Sequence, residues 1–278
     1  MSLNSVNTNV AAMQALQSFA AINAEMDEVL THISTGLRIS SPKDNPAIWA
    51  IAQNQRGQVS ALDSVTGSLQ RGQSIAGVAI TAGESISDTL EQMRSLALAA
   101  MDYPPGDPAR AALNDQYLSL RKLIDITANS ASLGGVNLVS AGSAGNVRSL
   151  ANADATQTID VDHVDLTTGG AALSGLPADL TGVLTTATLD GITGAEKAVT
   201  SAVSKLGTGS KALDNYLGFI GKLQDTLEAS IGNLVDADMA KEPAKLQALQ
   251  VRQQLAIISM RIANQAPSIL LQLFRLNG

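Results

Sequence analysis

Asp160, Asp162 and Asp165 are the side chains best able to hold a metal ion, because the three carboxylates are closely spaced. Oxygen-rich clusters of this kind bind hard cations such as calcium. The segment nevertheless lacks the central glycine and the closing glutamate of the known calcium-binding loop. The pattern therefore indicates a solvated acidic strand, and we predict that it holds no metal.

The two histidines, His32 and His163, could in principle act as bases or metal ligands. The chain has no cysteine, and neither histidine has a second histidine or a nucleophile at useful spacing. The sequence also has no HExxH metalloprotease motif, no glycine-rich phosphate loop and no GxSxG nucleophile motif. We therefore expect structural roles for both histidines, no catalytic site and no cofactor.

A short run of charged residues is the third candidate site. Arg38, Lys43 and Asp44 lie in the stretch from residue 37 to residue 45, which contains a proline and two serines. Such a stretch is typical of a loop. Its charges either contact another subunit or face solvent, and the residues alone leave both interpretations open.

Composition favours a helical protein without charged partners. Of the 278 residues 45% are hydrophobic and 15% are charged, but only 3% are aromatic. A core built from Ala, Leu, Ile and Val favours helices that meet along narrow seams over a thick globular core. The formal charge is −7 and no basic cluster stands out, so we expect no nucleic-acid partner and no membrane partner.

The N-terminus does not have the pattern of a secretory leader. Residues 1–24 contain no charged side chain and are interrupted by asparagine and glutamine. No run of 18 apolar residues exists, so we expect no transmembrane helix. Export would require a route that does not read a cleavable leader.

The N-terminal arm carries apolar residues at spacings of three and four, which predicts a helix. These residues are Phe19, Ile22, Met26, Val29 and Ile33. Gly36 should end this helix in a left-handed conformation. Asn45 and Pro46 form an N-cap and first-turn pair, so a second helix should begin there and continue to about Met101.

The second helix contains Gly67, Gly72, Gly77 and Gly83, which we expect to let a neighbouring backbone approach closely. A turn and the pair Asp107-Pro108 should then begin a third helix. The inward-facing residues of these two helices include Leu90, Met93, Leu120 and Ile124.

The middle of the chain differs in composition. Gly134-Gly135 predicts a hairpin. From about residue 140 to residue 190 the chain is rich in Gly, Ser, Thr, Ala and Asp, with a weak strand signal at Ile159, Val161 and, more weakly, His163. We expect a small irregular or β-rich excursion on the surface.

A second helical arm should begin near Thr193. Its heptad positions are Leu213, Leu217, Ile220, Leu227, Ile231 and Leu234. Asp236 and Asp238 lie where a helix cap is needed, and Glu242-Pro243 should interrupt the chain before a last helix. The apolar residues of that helix are Leu255, Ile258, Ile262, Ile269 and Leu273.

Both chain ends are therefore apolar on a stripe and almost free of charge. An isolated helix of this kind is marginal in water unless something covers its stripe. The two ends could cover each other as a hairpin, but a two-helix hairpin leaves much of each surface wet. We favour ends that become ordered when many copies pack side by side.

Four short sequence motifs occur in the order in which they are found in one protein family. They are residues 7–10 (NTNV), 34–45 (STGLRISSPKDN), 233–238 (NLVDAD) and 263–266 (ANQA). Together they resemble the signatures of bacterial flagellin, and particularly those of the short flagellins of alphaproteobacteria. The resemblance covers about residues 1–140 and 193–278.

The resemblance implies a mainly α fold, in which long antiparallel helices from both chain ends form a coiled-coil-like bundle with a small irregular or β excursion in the middle. The implied domains are an inner-tube helix and loop (1–44), a core arm with a hairpin (45–140), a small surface-exposed variable segment (141–192), a second core arm (193–235) and a C-terminal inner-tube helix (236–278).

The resemblance also assigns roles to individual residues. The implied inner-tube interface between subunits is Val10, Met13, Phe19, Ile22, Met26, Val29, Ile33, Leu255, Ile258, Ile262, Ile269 and Leu273. The implied inter-subunit loop is Arg38, Lys43, Asp44 and Asn45. The implied core seam is Leu90, Met93, Leu120, Ile124, Leu213, Leu217, Ile220 and Leu227.

The implied function is that of a structural subunit that self-assembles into the extracellular flagellar filament used for swimming. The implied export route is the flagellar type III apparatus. Implied partners are other flagellin copies, an export chaperone at the C-terminal helix, the filament cap and the hook–filament junction proteins. A junction protein of the same family is the nearest alternative. A secreted surface-binding adhesin and an enzyme are the alternatives from other classes.

The nearly uncharged ends generate the first testable prediction. Purified monomer should gain helical content when it polymerises, because packing between copies covers the apolar stripes. Far-ultraviolet circular dichroism of the monomer and of the sedimented polymer measures this gain. Equal helicity in the two states would contradict assembly-coupled ordering.

Overall fold

A computed structural model describes the backbone of residues 8–142 and 145–275, and the side chains of these ranges as far as residue 265. Five long helices dominate the described chain, as the sequence predicts. The elements are α1 (Val10–Thr35), α2 (Pro46–Ala100), α3 (Pro108–Ser130), β1 (Ser132–Leu133), β2 (Val136–Asn137), β3 (Val147–Leu150), β4 (Thr158–Val161), a 3₁₀ helix (Ala171–Leu173), α4 (Thr186–Val235) and α5 (Glu242–Arg275).

The chain folds as two compact units. The terminal unit comprises Met1–Gly57 and Thr226–Gly278, and the central unit comprises Gln58–Asp225. Helices α2 and α4 contribute residues to both units.

Local chemistry sets the ends of the helices where the sequence predicts. Gly36 follows α1 with φ +71° and donates its N–H to the His32 carbonyl at 2.8 Å. The Asn45 side chain accepts from the Ile48 amide at 3.1 Å, and the Asp107 side chain accepts from the Ala109 amide at 2.7 Å. These side chains satisfy amides that the first turn of a helix leaves unpaired. The predicted caps of α2 and α3 are thereby confirmed.

Helix α4 begins at Thr186 and not near Thr193. The regular heptad spacing begins only later in this helix, at Leu213. The first turns of the helix are nevertheless packed against the rest of the protein, since Ile192 and Ala195 are buried. Tertiary packing therefore extends the helix beyond the part that periodicity identifies.

In the central unit, α2 and α4 run antiparallel. Gln224 of α4 donates to the Asp63 carboxylate at 2.8 Å, and Arg94 lies 3.7 Å from Glu196. Between these two polar pairs lie the buried residues Leu69, Ile86 and Leu90 of α2 and Leu213, Leu206 and Val199 of α4. Gln224 occupies the heptad position between Ile220 and Leu227, and its side chain has its polar partner on α2.

The four glycines of α2 do not share one role, so the expectation of close backbone approach at all of them is wrong. A Cβ built at Gly83 would lie 2.5 Å from the Val203 Cγ2 atom, and one at Gly72 would overlap the Ser149 hydroxyl. At Gly67 and Gly77 nothing lies within 4 Å of such an atom. The neighbours at Gly72 and Gly83 are side chains and not backbone, because α4 and β3 lay their side chains directly across α2.

Two small antiparallel hairpins follow α3. Gly134 and Gly135 form the turn between β1 and β2 with φ values of +61° and +81°, which glycine adopts without strain. Strands β3 and β4 pair in the register that places Val147 opposite Val161. The predicted strand signal is thus confirmed for Thr158–Val161, whereas His163 lies beyond the strand.

The segment from residue 164 to residue 182 is anchored in the core of the central unit, which its composition did not indicate. Its leucines are buried against the rest of the central unit and are Leu166, Leu173, Leu176 and Leu180. We call this segment the wrap. Its burial shows that a stretch rich in small polar residues can still be anchored by a few widely spaced leucines.

One face of α3 binds the backbone of the wrap. Arg110 donates to the carbonyls of Leu180 and Gly182, and Asn114 accepts from the Leu180 amide at 2.8 Å. Tyr117 donates its hydroxyl to the Pro177 carbonyl at 2.9 Å. Burial raises the pKa of the Tyr117 phenol to about 12, so the hydroxyl stays protonated and remains a donor at neutral pH.

The hydrogen bonds between α3 and the wrap continue toward the C-terminal end of α3. The Asp125 carboxylate accepts from the amide and the hydroxyl of Thr168, both at 2.8 Å. Arg121 also donates to the Ala178 carbonyl, at 3.5 Å. Positions 110, 114, 117, 121 and 125 recur at spacings of three and four, so they occupy one side of the helix. A polar stripe of this kind is invisible to a search for apolar periodicity.

The glycine contacts generate a prediction for the stability of the central unit. Gly83→Ala should destabilise the monomer by about 1–2 kcal/mol, because overpacking against Val203 outweighs the better helix propensity of alanine. Gly67→Ala is the matched control on the same helix and should stabilise by roughly 0.5–1 kcal/mol. Urea unfolding of the monomer measures both changes. Equal effects of the two substitutions would contradict the packing assignment.

Candidate subunit interface

Helices α1 and α5 pack along each other in the terminal unit and run antiparallel. Asn9 donates its side-chain amide to the Ala263 carbonyl at 2.7 Å, and Gln253 donates to the Asn23 side chain, also at 2.7 Å. At the other end of the pair the His32 Nδ1 atom lies 3.3 Å from a Glu242 carboxylate oxygen. The residue numbers rise on α1 as they fall on α5, which fixes both direction and register.

The predicted stripe of α1 lies toward α5. Val29 is completely buried, and the other members of the stripe are half-buried: Phe19, Ile22, Met26 and Ile33. Their spacing of three and four residues is that of a coiled-coil seam. The hairpin interpretation, in which the chain's own ends cover each other, therefore accounts for this part of the surface.

The residues of α5 that face α1 are a different set from the predicted ones. Leu249 is buried, Gln253 bonds to Asn23, and the half-buried residues that continue the same spacing are Ala256, Met260 and Ala263. This seam was missed because it contains a glutamine and two alanines and is therefore less hydrophobic than its neighbour. The spacings of four and three from Leu249 onward were the signal that could have revealed it.

The predicted residues of α5 whose side chains the structure describes lie outside the seam with α1, and Ile262 borders a groove that α1 also lines. Leu255 is 59% exposed, Ile258 50% and Ile262 64%. Together with Val251, which is 56% exposed, they form a second heptad-spaced row that we call the α5 outer stripe. Ile269 and Leu273 belong to the range whose side chains lie outside the described part of the chain.

Helix α1 also has exposed apolar residues near its start. The predicted Val10 and Met13, together with Leu16, are between 44% and 63% exposed, and we call them the α1 outer stripe. Beside the seam, a groove of about 550 Å³ is lined by residues of both helices, most of them small; they include Ala11 and Ala15 of α1 and Ala256, Ile262 and Ala263 of α5. The two ends of the chain thus present uncovered apolar surface on α1 and on α5.

A backbone joint closes the terminal unit beside α1. The Arg38 amide donates to the Val235 carbonyl at 2.7 Å, and the Ala237 amide donates to the Gly36 carbonyl at 2.9 Å. Leu37 and Asp236 form the bridge between these bonds. The joint ties the loop after α1 to the end of α4, so Asp236 takes part in pairing, whereas Asp238 supplies the predicted cap by accepting from Ala240 at 3.0 Å.

The predicted loop residues have separate tasks within the chain. Arg38 donates its guanidinium to the Leu234 carbonyl at 2.8 Å, and Asn45 caps α2. Asp44 accepts from the amides of Ser41 and Ser40, each at 2.9 Å, and these bonds hold the pKa of the carboxyl below its ordinary value. Lys43 is exposed, and within the described residues no ion pair is found for its ammonium group.

The predicted core seam is buried or half-buried throughout. Leu90, Met93, Ile124, Leu213 and Ile220 have at most 1% exposure. Leu120, Leu217 and Leu227 are half-buried. The heptads of α2, α3 and α4 therefore identified residues that the folded chain packs inward.

The candidate metal residues are not gathered into one site. Asp160 faces Arg148 at 3.7 Å, Asp162 accepts from Asn146 at 2.8 Å, and Asp165 accepts from the Thr167 amide at 2.9 Å. Over residues 8–142 and 145–275 no group of three potential ligands is arranged to hold a metal ion. The same part of the chain contains no helix that is both long and apolar enough to span a membrane.

Comparison with known proteins agrees with this geometry. The family model of the bacterial flagellin N-terminal helical region matches residues 6–144, and the model of the C-terminal helical region matches residues 189–274. The chain is 43% identical to flagellin FljM of Caulobacter vibrioides over 99% of this chain and 100% of that relative. It is 30% identical to a flagellin of Brucella melitensis over 98% and 99% of the two chains.

The crystal structure of Bacillus cereus flagellin matches 64% of this chain and 93% of that chain, with a TM-score of 0.37 and 19% identity. The two family models together cover most of the sequence and leave out residues 145–188, which include β3, β4 and the wrap, and a few residues at each end. The chain therefore belongs to the bacterial flagellin family, and it is a structural subunit of the extracellular flagellar filament.

Proposed function

We propose that the subunit joins the filament by burying the two outer stripes of its terminal unit against other copies of the chain. The observation that carries this proposal is the α5 outer stripe, four aliphatic residues at heptad spacing that are each at least half exposed. A soluble helix normally turns such a row toward a partner. Within its own chain, α5 already uses its other face to contact α1.

The energetics support burial between copies. A fully buried aliphatic side chain gains roughly 1.5–3 kcal/mol relative to full exposure. Because the four residues of the α5 outer stripe are about half exposed, covering them gains on the order of 3–6 kcal/mol for each copy. A gain of this size raises the association constant of each subunit for the polymer by several powers of ten.

The predicted domain division and the other predicted partners extend this proposal. Residues 1–44 and 236–278 would line the inner tube, the core arms would surround them, and residues 141–192 would face outward. An export chaperone bound to α5 would cover the outer stripe before assembly, and the filament cap and junction proteins would contact the ends of the polymer. We further propose that the subunit is not an enzyme and that its role is mechanical.

The loop from Leu37 to Asn45 is proposed as a second contact between copies. Its shape is set by bonds within the chain, because Asp44 and Asn45 both accept from nearby amides. A loop held in this way presents Lys43 outward at low conformational cost. Lys43 is therefore the member of the loop best placed to bind an acidic group on a neighbour.

The outer stripe generates the central prediction. Ile258→Asp should abolish polymerisation or raise the critical concentration at least tenfold, because a carboxylate would have to be desolvated without a partner. Gln254→Asp is the matched control, since Gln254 is exposed on the same helix outside the stripe. Seeded polymerisation followed by sedimentation and electron microscopy measures both. Normal filaments from the Ile258 variant, with unchanged monomer helicity, would overturn the proposed burial.

The loop generates a separate prediction. Lys43→Glu should weaken seeded polymerisation severalfold, because the reversed charge would repel an acidic neighbour. Lys43→Arg keeps the charge and should polymerise as the unmodified chain does. If Lys43→Glu also assembles normally, the loop faces solvent, and the role of the outer stripes is unaffected.

A further inference from the structure

The wrap contacts three helices of the central unit. On α3 it is held by the hydrogen bonds described above. On α2, the Leu166 Cδ1 atom lies 3.7 Å from the position that a Cβ at Gly83 would take. On α4, the Gly175 carbonyl oxygen lies so close to Gly191 that a Cβ there would overlap it. The wrap therefore packs against α2, α3 and α4, whereas a surface excursion would rest on the chain only where it leaves and rejoins it.

Both ends of the wrap are fixed through their main-chain atoms. At its start, the Leu166 amide donates to the Val139 carbonyl at 2.9 Å. At its end, Arg110 donates to the carbonyls of Leu180 and Gly182. The leucines between these two ends are buried. The wrap therefore cannot slide along α3 without breaking bonds at one end or exposing a leucine.

The face of α3 under the wrap is polar and buried. Arg110, Asn114 and Tyr117 are 4%, 7% and 0% exposed. Buried polar side chains need hydrogen-bond partners, because leaving one unpaired costs free energy. The wrap supplies main-chain partners for all three. Another helix could not replace the wrap here, because the main-chain groups in the middle of a helix are already paired with each other.

We infer that the wrap is an internal clamp, which holds α3 in the central unit. The wrap is then required for the stability of that unit, although its small polar residues predict a surface excursion. This inference concerns a single copy and goes beyond the proposed function, which concerns contacts between copies. It also gives a structural task to residues that neither family model matches.

The turn between β3 and β4 offers the contrast that a test needs. Residues 153–157 of this turn are exposed. Asn152 accepts from the amides of Thr156 and Gln157 at 2.9 and 3.0 Å, so these bonds stay within the turn. Residues 151–157 join the two strands. Removing two of them leaves about five, a loop length that is common in hairpins.

Two matched deletions test the clamp in the full-length monomer. One removes Ala178 and Asp179 from the wrap, and the other removes Asp154 and Ala155 from the turn. Each removes one alanine and one aspartate, and all four residues are exposed. Hydrogen exchange followed by mass spectrometry measures the protection of the α3 amides. The wrap deletion should make them exchange about tenfold faster or more, because a wrap shortened by about 7 Å cannot keep the bonds at both ends. The turn deletion should change their exchange by less than about twofold.

A milder pair of variants separates release of the clamp from failure to fold. Tyr117→Phe removes only the hydroxyl that donates to the Pro177 carbonyl. The α3 amides should then exchange about five- to tenfold faster, because one buried hydrogen bond is lost. Tyr103→Phe is the control, since Tyr103 is 41% exposed, and it should leave the exchange of α3 unchanged.

Faster exchange confined to the wrap amides, with α3 unchanged, would show that the wrap covers α3 without holding it, and would overturn the clamp. Equal α3 exchange in the two deletion variants would overturn it as well, because the wrap would then be as dispensable as the turn. If the wrap deletion leaves the chain unfolded, the Tyr117 variant gives the answer. Exchange of α3 equal to that of the Tyr103 variant would contradict the inference.

Discussion

A pair of helices has only one seam, and this limit governs the ends of the chain. Each α-helix has several faces, and an antiparallel partner covers one of them. Helices α1 and α5 satisfy each other along the row that contains Val29 and Leu249, both buried. Any further apolar row on either helix stays exposed to solvent in the isolated chain. The exposed residues of α5 are such a row, and their uncovered state is a consequence of geometry as well as of sequence.

The joint beside α1 makes this arrangement specific. Without it, two helices with heptad spacing could slide by one heptad and still pair. The bonds of Arg38 and Ala237 to the opposite backbone fix where the loop meets the end of α4. The polar contacts at Asn9, Asn23 and His32 then fix the register along the pair. Directional bonds therefore select one register among the several that apolar packing would allow.

Sequence reasoning succeeded where a single residue type determines local geometry. Gly36, Asn45 and Asp107 have few roles at helix ends, so they located those ends correctly. It failed on α5, where rows beginning at Leu249 and at Val251 both have helical spacing and only the tertiary partner decides which is covered. It also missed the wrap, because α3 binds main-chain atoms there. A contact that recognises the main chain leaves little trace in the sequence of its partner.

The distribution of side-chain size on α5 links stability to assembly. The covered seam of α5 combines Leu249 and Met260 with Gln253, Ala256 and Ala263, whereas the outer stripe consists entirely of Val, Leu and Ile. The two seam alanines gain less from burial than the larger residues of the outer stripe would gain, so covering the outer stripe would add to the stability of the α1–α5 pair. The larger gain becomes available only when another molecule covers the outer stripe. Under the proposed burial, the ends of the subunit would be held more firmly once its neighbours are present.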